Sequence, residues 1–440
     1  MHHLINFALS PRARPFLPLV IFYLISQVFW IVKLRRWKRR LIKNKLLGAT
    51  VGLAGWALYA GWYVYAVWNL RRVPSPITLT PGEALLQGPF EWWVFGSFAG
   101  FAFYLAVWVG GFLWTRARRA VRRRVATLPA ETAIRSGKDP QLARQSFSSP
   151  AQPQRRVFFR RVATTVGLAP FAAGAYGFLY GRLVLKIHHQ RISIPHLPRS
   201  FDGFSILQLS DLHIGPFMTA RQIRNVAAIA NGLKPDLTVL TGDFVTFDAS
   251  TQYAVVDALS RLKAPFGVFG CLGNHEIYTG TQASITALFA GIGFRMLRQE
   301  NTLVRAGGEA VNLIGVDYET NSSRARGHQG YVRTYLEGVD KLVMPGSVNI
   351  LLSHNPNTFD RAVQLGVDFS ISGHTHGGQI DLEFLDTNLC PARLVTPYVR
   401  GWFQKGKGQL YVNRGIGTII MPIRFDAPPE ITVYHLSRSV

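Results

Sequence analysis

Four long apolar stretches, separated by blocks of arginine and lysine, fill the first 180 residues of the chain. No other feature constrains the fold as tightly. Hydrocarbon offers no partner to an unpaired backbone N–H or C=O, so it admits only helices or closed barrels. Three stretches, Pro15–Val32, Leu46–Asn69 and Trp92–Thr115, approach or reach the roughly 20 residues that a bilayer-crossing helix needs. Trp30, Trp37, Trp62, Trp68, Trp92, Trp93 and Trp114 lie in or near their ends, as interfacial belts require. The fourth, Val162–Tyr180, carries Pro170, Thr164, Thr165 and several glycines, and qualifies through its basic flank. The sequence therefore predicts an all-α transmembrane region, residues 1–186, with about four helices near 15–32, 46–69, 92–115 and 162–180.

Charge follows the same division. Residues 1–161 hold 25 Lys and Arg against four acids (Glu83, Glu91, Glu131, Asp139), a net +21; the other 279 hold 24 against 20, a net +4. A basic chain raises the question of nucleic acid. Basic blocks beside apolar runs follow from membrane insertion instead, and no nucleic-acid partner is expected. Lys33–Lys45 holds eight basic residues and Arg116–Arg161 thirteen, whereas Leu70–Glu91 holds Arg71 and Arg72 with two glutamates. The positive-inside rule puts the two heavy loops in the cytoplasm, so the amino terminus and everything after the fourth span lie outside it. In a bacterium that is the periplasm or the cell exterior; were the fourth segment not to span, the second half would be cytoplasmic instead. Arg155-Arg156-Val157-Phe158-Phe159-Arg160 resembles an internal twin-arginine export signal, and reads equally well as further cytoplasmic charge.

From about residue 187 the pattern becomes short apolar runs alternating with helical stretches. Ser205–Leu209, Leu237–Leu240, Gly267–Leu272, Val348–Leu352 and Val367–Ile371 read as buried strands. Thr219–Gly232, Thr251–Leu262, Thr281–Gly291 and Asn357–Leu365 read as helices, several capped by Thr or Asn. Thr302–Arg305 and Ala310–Ile314 suit an antiparallel pair around Gly307-Gly308. This alternation predicts an α/β domain over 187–440, built on largely parallel sheet. Cys271 and Cys390 form no CxxC pair; they are two buried thiols, or a disulfide if the domain is exported.

Each predicted strand ends in Asp, His or Asn: Asp211-Leu212-His213, Gly242-Asp243, Gly273-Asn274-His275-Glu276, Ser353-His354 and Gly373-His374-Thr375-His376. Ligands of open α/β sheets bind beyond the carboxyl ends of the strands, so five such ends make one site. Asp211, His213, Asp243, Asn274, His354, His374 and His376 offer carboxylate, amide and imidazole donors, which suit two divalent ions among Mn, Fe, Zn, Co and Ni. Strand alternation is expected to bring Asp211 and His213, and likewise His374 and His376, to one face. Glycines 242, 273, 373, 377 and 378 let the backbone approach the ions. Two ions about 3.5–4 Å apart suit phosphoryl hydrolysis: they lower the pKa of a shared water and hold a phosphate oxygen during in-line attack. His275, next to Asn274, is expected to point away from the ligands and toward the substrate, as general acid or as the positive charge on the leaving oxygen. His2, His3, His188, His189, His196, His328 and His435 read as ordinary surface or terminal residues.

The series D-x-H, G-D, G-N-H-E, S-H, G-H-T-H-G-G-Q resembles the calcineurin-like metallophosphoesterases, over roughly residues 190–436. The bacterial membrane-associated or exported branch is the most similar, sharing a tail like Tyr411-Val412-Asn413-Arg414-Gly415-Ile416-Gly417-Thr418, Pro422-Ile423-Arg424 and Pro428-Pro429-Glu430. The resemblance implies a four-layer αββα sandwich. It also implies one metal site of Asp211, His213, Asp243 and His376 and a second of Asp243, Asn274, His354 and His374, with Asp243 bridging and catalytic beside His275. Glu276 stands where much of that branch has Asp, and would support the ligands from behind. Ser/Thr protein phosphatases also read G-N-H-E, but carry G-D-x-x-D-R-G and R-G-N-H-E, and here the arginines are missing. Arg414 and Arg424 either reach a substrate phosphate or pair with acids such as Glu430. The expected substrate is a phosphomonoester, phosphodiester or pyrophosphate, whether lipid-linked, envelope-derived or a nucleotide, met at the lipid bilayer; a metal-binding sensor or scaffold is the alternative.

Overall fold

The computed structural model describes residues 17–69, 81–126, 153–318, 324–327, 330–333, 335–381, 390–419 and 421–438. They form two compact units, Met1–Val64 with Pro89–Ala175, and Tyr65–Gly88 with Tyr176–Val440. Positions 15–16 of the first expected span, 70–80 of the charge-poor loop, 127–152 of the basic segment and His2, His3 and His328 lie outside the described residues.

The apolar stretches become helices α1 (Leu17–Leu41), α2 (Lys45–Asn69), α3 (Pro81–Ala126) and α4 (Pro153–Tyr176). Among the described residues, three segments are long and apolar enough to cross a membrane: Leu17–Leu41, Leu86–Ala117 and Val157–Gly181. The weakest expected span is therefore among them. Helix α2 has the length, 25 residues, but Gly, Trp and Tyr dilute its hydropathy. Gln27, which is buried, organises the first unit. Its Nε2 donates to Ser97 Oγ (2.8 Å), and its Oε1 accepts from Trp93 Nε1 (2.9 Å) and Tyr59 OH (3.1 Å). A buried amide is tolerated because these partners satisfy it.

The second unit opens with a π-helical turn, Gly177–Gly181. Its strands are β1 (Lys186–Ile194), β2 (Ser205–Leu209), β3 (Leu237–Thr241), β4 (Val268–Cys271), β5 (Arg295–Met296), β6 (Glu300–Ala306) and β7 (Glu309–Gly315). There follow β8 (Arg324–Gly327), β9 (Gly330–Arg333), β10 (Asn349–Leu352), β11 (Phe369–Ser372), β12 (Gly401–Lys405), β13 (Gly408–Val412) and β14 (Glu430–Arg438). Its helices are α5 (Ala220–Gly232), α6 (Gln252–Leu259), α7 (Asn274–Thr279), α8 (Gln282–Gly291) and α9 (Phe359–Gln364).

Two six-stranded sheets result, ordered β1-β14-β2-β3-β4-β5 and β12-β13-β11-β10-β7-β6, with β8 and β9 paired separately. Strands β2 to β5 run parallel, as do β7, β10, β11 and β13; the antiparallel pairs are β14·β2, β12·β13 and β6·β7. One core cluster joins inner faces of both sheets, with Ile206, Leu237 and Tyr434 from the first and Leu313, Ile350, Phe369 and Tyr411 from the second. A second seats α5, α6 and α8 on the outer face of the first sheet, and a third seats α9 on the outer face of the other. The layering is αββα. Helix α5 starts at a capping box in which Thr219 Oγ1 accepts from Gln222 N and Gln222 Oε1 from Thr219 N. Strands β1, β12, β13 and β14 were not among the expected elements; β14 lies inside the first sheet, between β1 and β2.

Candidate metal centre

The strand ends β2, β3, β4, β10 and β11 lead directly into the polar residues singled out in the sequence. Backbone bonds lock these exits together: Asp211 N to Gly242 O (3.1 Å), His213 N to Asp243 O (3.0 Å) and Gly373 N to His354 O (3.1 Å). Three groups of ligand atoms, each within 4.8 Å of one another, follow: Asp211, His213 and His376; His213, Asp243 and His275; and Asp243, His354 and His374.

Strand alternation is not what brings these pairs together. Asp211 and His213 lie past the end of β2 at φ 51° and 46°, and Asp243, His374 and His376 lie at 55°, 75° and 52°. Five of the ten described non-glycine residues with left-handed backbone are thus in this site. Each such residue costs on the order of 1–3 kcal/mol, so the turns persist only because the surroundings over-determine them. The tight exit also needs Gly373, where a Cβ would lie 2.0 Å from Ser210 Oγ and 2.3 Å from Asp211 Oδ2.

The ring tautomers follow from the partners. His213 Nδ1 faces Val245 O (3.2 Å), His354 Nδ1 faces Thr241 O (2.6 Å) and His275 Nδ1 faces Thr246 O. A carbonyl only accepts, so Nδ1 carries the proton in each; Nε2 of His213 and of His354 is then the nitrogen that can ligate, and Nε2 of His275 is the one left for proton transfer. His213 Nε2 is 3.1 Å from His376 Nε2, and His354 Nε2 is 3.2 Å from His374 Nδ1. Donors about 2.0–2.1 Å from a shared tetrahedral ion lie roughly 3.3 Å apart, so these spacings fit. Asp243 Oδ2 lies 3.4 Å from His213 Nε2 and 3.1 Å from His354 Nε2, between the two groups. Asn274 is 5% exposed, and its Oδ1 has no hydrogen-bond partner. An orphaned buried acceptor costs about 1–3 kcal/mol, which a metal ion would relieve. The donor set fits divalent metal.

Electrostatics keeps Asp243, His374 and His376 in ligating form, whereas a metal ion would have to displace a proton from His354. Burial would push Asp243 up, but His354 and His213 outweigh it and hold its carboxyl well below the usual range. Burial likewise opposes charge on His354, yet Asp243 lifts that imidazole to about 10. Burial, helped by His354, drops His374 to about 3, and burial with His213 pushes His376 well down, leaving both rings neutral. Burial raises Asp211, whose carboxylate accepts from Ser210 Oγ (2.5 Å) and His374 N (3.0 and 3.1 Å).

His275 does not turn away from the ligands. Its ring centroid is 4.6 Å from that of His213, and its N–H donates to Asp243 Oδ1 (2.9 Å). Behind it, Glu276 is fully buried; Oε2 accepts from Gly273 N (2.8 Å) and Asp243 N (3.0 Å), and Oε1 from Phe244 N (2.8 Å) and Val245 N (3.2 Å). Both tail arginines are engaged within the protein. Arg414 pairs with Glu430. Arg424 is 1% exposed and donates to Gly417 O (2.5 Å), Ala427 O (2.8 Å), Arg414 O (2.9 Å) and Gly415 O (3.1 Å). Burial lowers its pKa to about 9. Its NH1 donates to His376 O at 3.4 Å, so this arginine braces the backbone of a candidate ligand. Sequence reasoning missed that role, because only burial distinguishes it from phosphate binding. Cys271 and Cys390 are buried and are not joined in a disulfide.

Residues 204–378 match the family model described as calcineurin-like phosphoesterase. The uncharacterized metallophosphoesterase YkuE of Bacillus subtilis is 33% identical over 289 residues, 64% of this chain and 97% of that protein. The chain belongs to the calcineurin-like metallophosphoesterases. It is a hydrolase of phosphate esters. A transmembrane protein with metallophosphoesterase domain from Bos taurus is 32% identical over 251 residues, 55% of this chain and 54% of that one. Phosphodiesterase YaeI of Escherichia coli is 28% identical over 236 residues, 53% of this chain and 82% of the relative.

Proposed function

We propose that this metallophosphoesterase is membrane-anchored, holds two divalent ions, and hydrolyses a phosphomonoester, phosphodiester or pyrophosphate bond of a lipid-linked or envelope-derived substrate outside the cytoplasm. The observation that carries the reading is the position of Asp243 Oδ2 between two separate histidine groups. One ion would take Asp211, His213, Asp243 and His376, and the other Asp243, Asn274, His354 and His374. When bound, the pair supplies Lewis acidity toward a phosphate oxygen and a lowered pKa for a shared water.

The chain's own residues then do the rest. Glu276 fixes the loop that carries Asp243, so the bridging carboxylate arrives in place rather than being recruited. The Nδ1–H of His275 is committed to Thr246 O, which leaves Nε2 to hold the proton that the departing oxygen takes. Water supplies the oxygen of the new P–O bond, the ester P–O bond breaks, and the proton released by the water restores the imidazole. Three candidate spans and a related transmembrane protein support the anchored reading, and the basic loops support an exterior catalytic unit.

Detergent-solubilised protein, stripped with chelator and reloaded with Mn, is expected to hold two ions per chain. It should cleave bis(p-nitrophenyl) phosphate or p-nitrophenyl phosphate, with Asp243→Asn losing both properties. No turnover with any divalent ion in folded protein overturns the reading. Protease cutting of the second unit in intact cells tests its side; protection there refutes the exterior assignment.

A further inference from the structure

Large aromatic side chains are costly to leave in water, and beyond residue 186 the described examples are Phe247, Tyr253, Tyr278 and Trp402. Two of the four touch one residue. The Phe247 ring lies 5.0 Å from the His275 ring and the Tyr278 ring 5.4 Å from it, although Phe247 is 62% exposed and Tyr278 65%. Neither contact is accidental to the local fold. Thr246 O receives the His275 Nδ1–H, which pins the residue before Phe247 against the imidazole. Tyr278 follows His275 by three positions on α7, the spacing that puts two side chains on one helix face.

His275 is itself 2% exposed and shares its ligand-atom group with His213 and Asp243. The departing oxygen of a phosphate ester must come to this imidazole to be protonated. Whatever that oxygen carries therefore lies over Phe247 and Tyr278. Two exposed rings in contact with a proton donor make an apolar cradle, which favours hydrocarbon over a hydrated polar alcohol. The same chain carries three apolar segments long enough for a bilayer, where hydrocarbon-bearing phosphate esters reside. We infer that Phe247 and Tyr278 form the leaving-group subsite of this enzyme and select phosphate esters of acylated, lipid-type alcohols. The inference rests on the phosphoesterase reading above, with His275 as proton donor. In the reaction it describes, the P–O bond to the acylated alcohol breaks, His275 protonates that oxygen, and water contributes the new oxygen on phosphorus.

The test compares matched esters differing only in acylation: glycerol 3-phosphate against its dioctanoyl form, and glycerophosphoglycerol against dioctanoyl phosphatidylglycerol, all below micellar concentration. The full chain, Mn-loaded in detergent, is expected to favour an acylated member over its bare partner by at least tenfold in kcat/KM, the scale on which burying an aromatic side chain acts. The Phe247→Ser/Tyr278→Ser double variant should lose about tenfold of that ratio, chiefly through KM. Tyr253→Ser removes an equally exposed aromatic outside the His275 ring contacts, and should keep the ratio. Buried-thiol labelling verifies that each variant is folded. A wild-type ratio near one, or a ratio unchanged in the double variant, overturns the subsite. So does cleavage of bis(p-nitrophenyl) phosphate with no cleavage of the glycerol esters, which leaves the phosphoesterase reading standing. Failure on every ester with every divalent ion overturns both.

Discussion

Replacing Glu276 by glutamine changes one oxygen to an amide nitrogen at a fully buried position. Both carboxylate oxygens are in use: Gly273 N and Asp243 N donate to Oε2, and Phe244 N and Val245 N to Oε1. An amide has one acceptor, so whichever way it turns, its NH2 group confronts two backbone N–H groups that have no alternative partner. Each orphaned buried donor costs about 1–3 kcal/mol. Against this, the neutral amide avoids the desolvation of a carboxyl whose pKa burial, then the neighbouring Asp243, pushes up. The balance is a loss of about 3 kcal/mol. For a unit of this size each kcal/mol moves the midpoint by roughly 2–4 °C, so the expected shift is about 6–12 °C downward.

The chain supplies its own reporter for this measurement. Its two cysteines, Cys271 and Cys390, are both buried in the second unit and neither is in a disulfide. A thiol-reactive dye added during a thermal ramp therefore reads the unfolding of the catalytic unit alone, even in detergent with the helical unit attached. Metal content supplies the second readout, because the backbone that Glu276 holds includes Asp243. Glu276→Asp keeps both oxygens and the charge on a shorter arm, and should fall between wild type and the glutamine variant. A glutamine variant that labels within about 2 °C of wild type and keeps its full complement of metal would refute the claim that these four hydrogen bonds hold the bridging ligand.

The remaining predictions use the same two readouts. Gly181→Ala would put a Cβ 2.1 Å from the Arg424 carbonyl oxygen, and should lower stability by about 1–3 kcal/mol, whereas Gly232→Ala, with open space around it, should not. Arg424→Met leaves a ring of carbonyls without their donor and His376 unbraced; a loss of about 3–5 kcal/mol and of metal is expected, and unchanged metal content would count against the brace. Chelation should advance thiol labelling, since an ion held at a hundredfold its dissociation constant stabilises by about 2.7 kcal/mol per site. Asn274→Ala removes an acceptor that has no protein partner, so chelated protein should keep its midpoint while the loaded protein loses one ion; a destabilised chelated form would mean that the amide serves the fold instead.

The candidate ligands were legible as a group because each follows the end of an apolar run, and at three of the five exits a glycine marks the place as well. That signal needs no knowledge of what pairs with what. Strand β14 lacked it: Glu430 pairs with Lys186 and His435 with Ser205, partners more than two hundred residues distant, and no local pattern encodes such a register. Backbone conformation was equally hidden. Asp211 and His213 are two apart, which suits a strand, yet they reach the site through left-handed turns that the surrounding hydrogen bonds impose. Arg424 shows the same limit in a side chain. Followed three and four residues later by Ala427 and Pro428, it has the chemistry to bind a phosphate or a nest of carbonyls. Burial at 1% exposure decides for the carbonyls. An enclosed guanidinium that donates to the carbonyls of Gly415, Gly417 and His376 is not placed to receive a substrate, so on the proposed reading the positive charge that meets the phosphate would come from the metal ions rather than from Arg424.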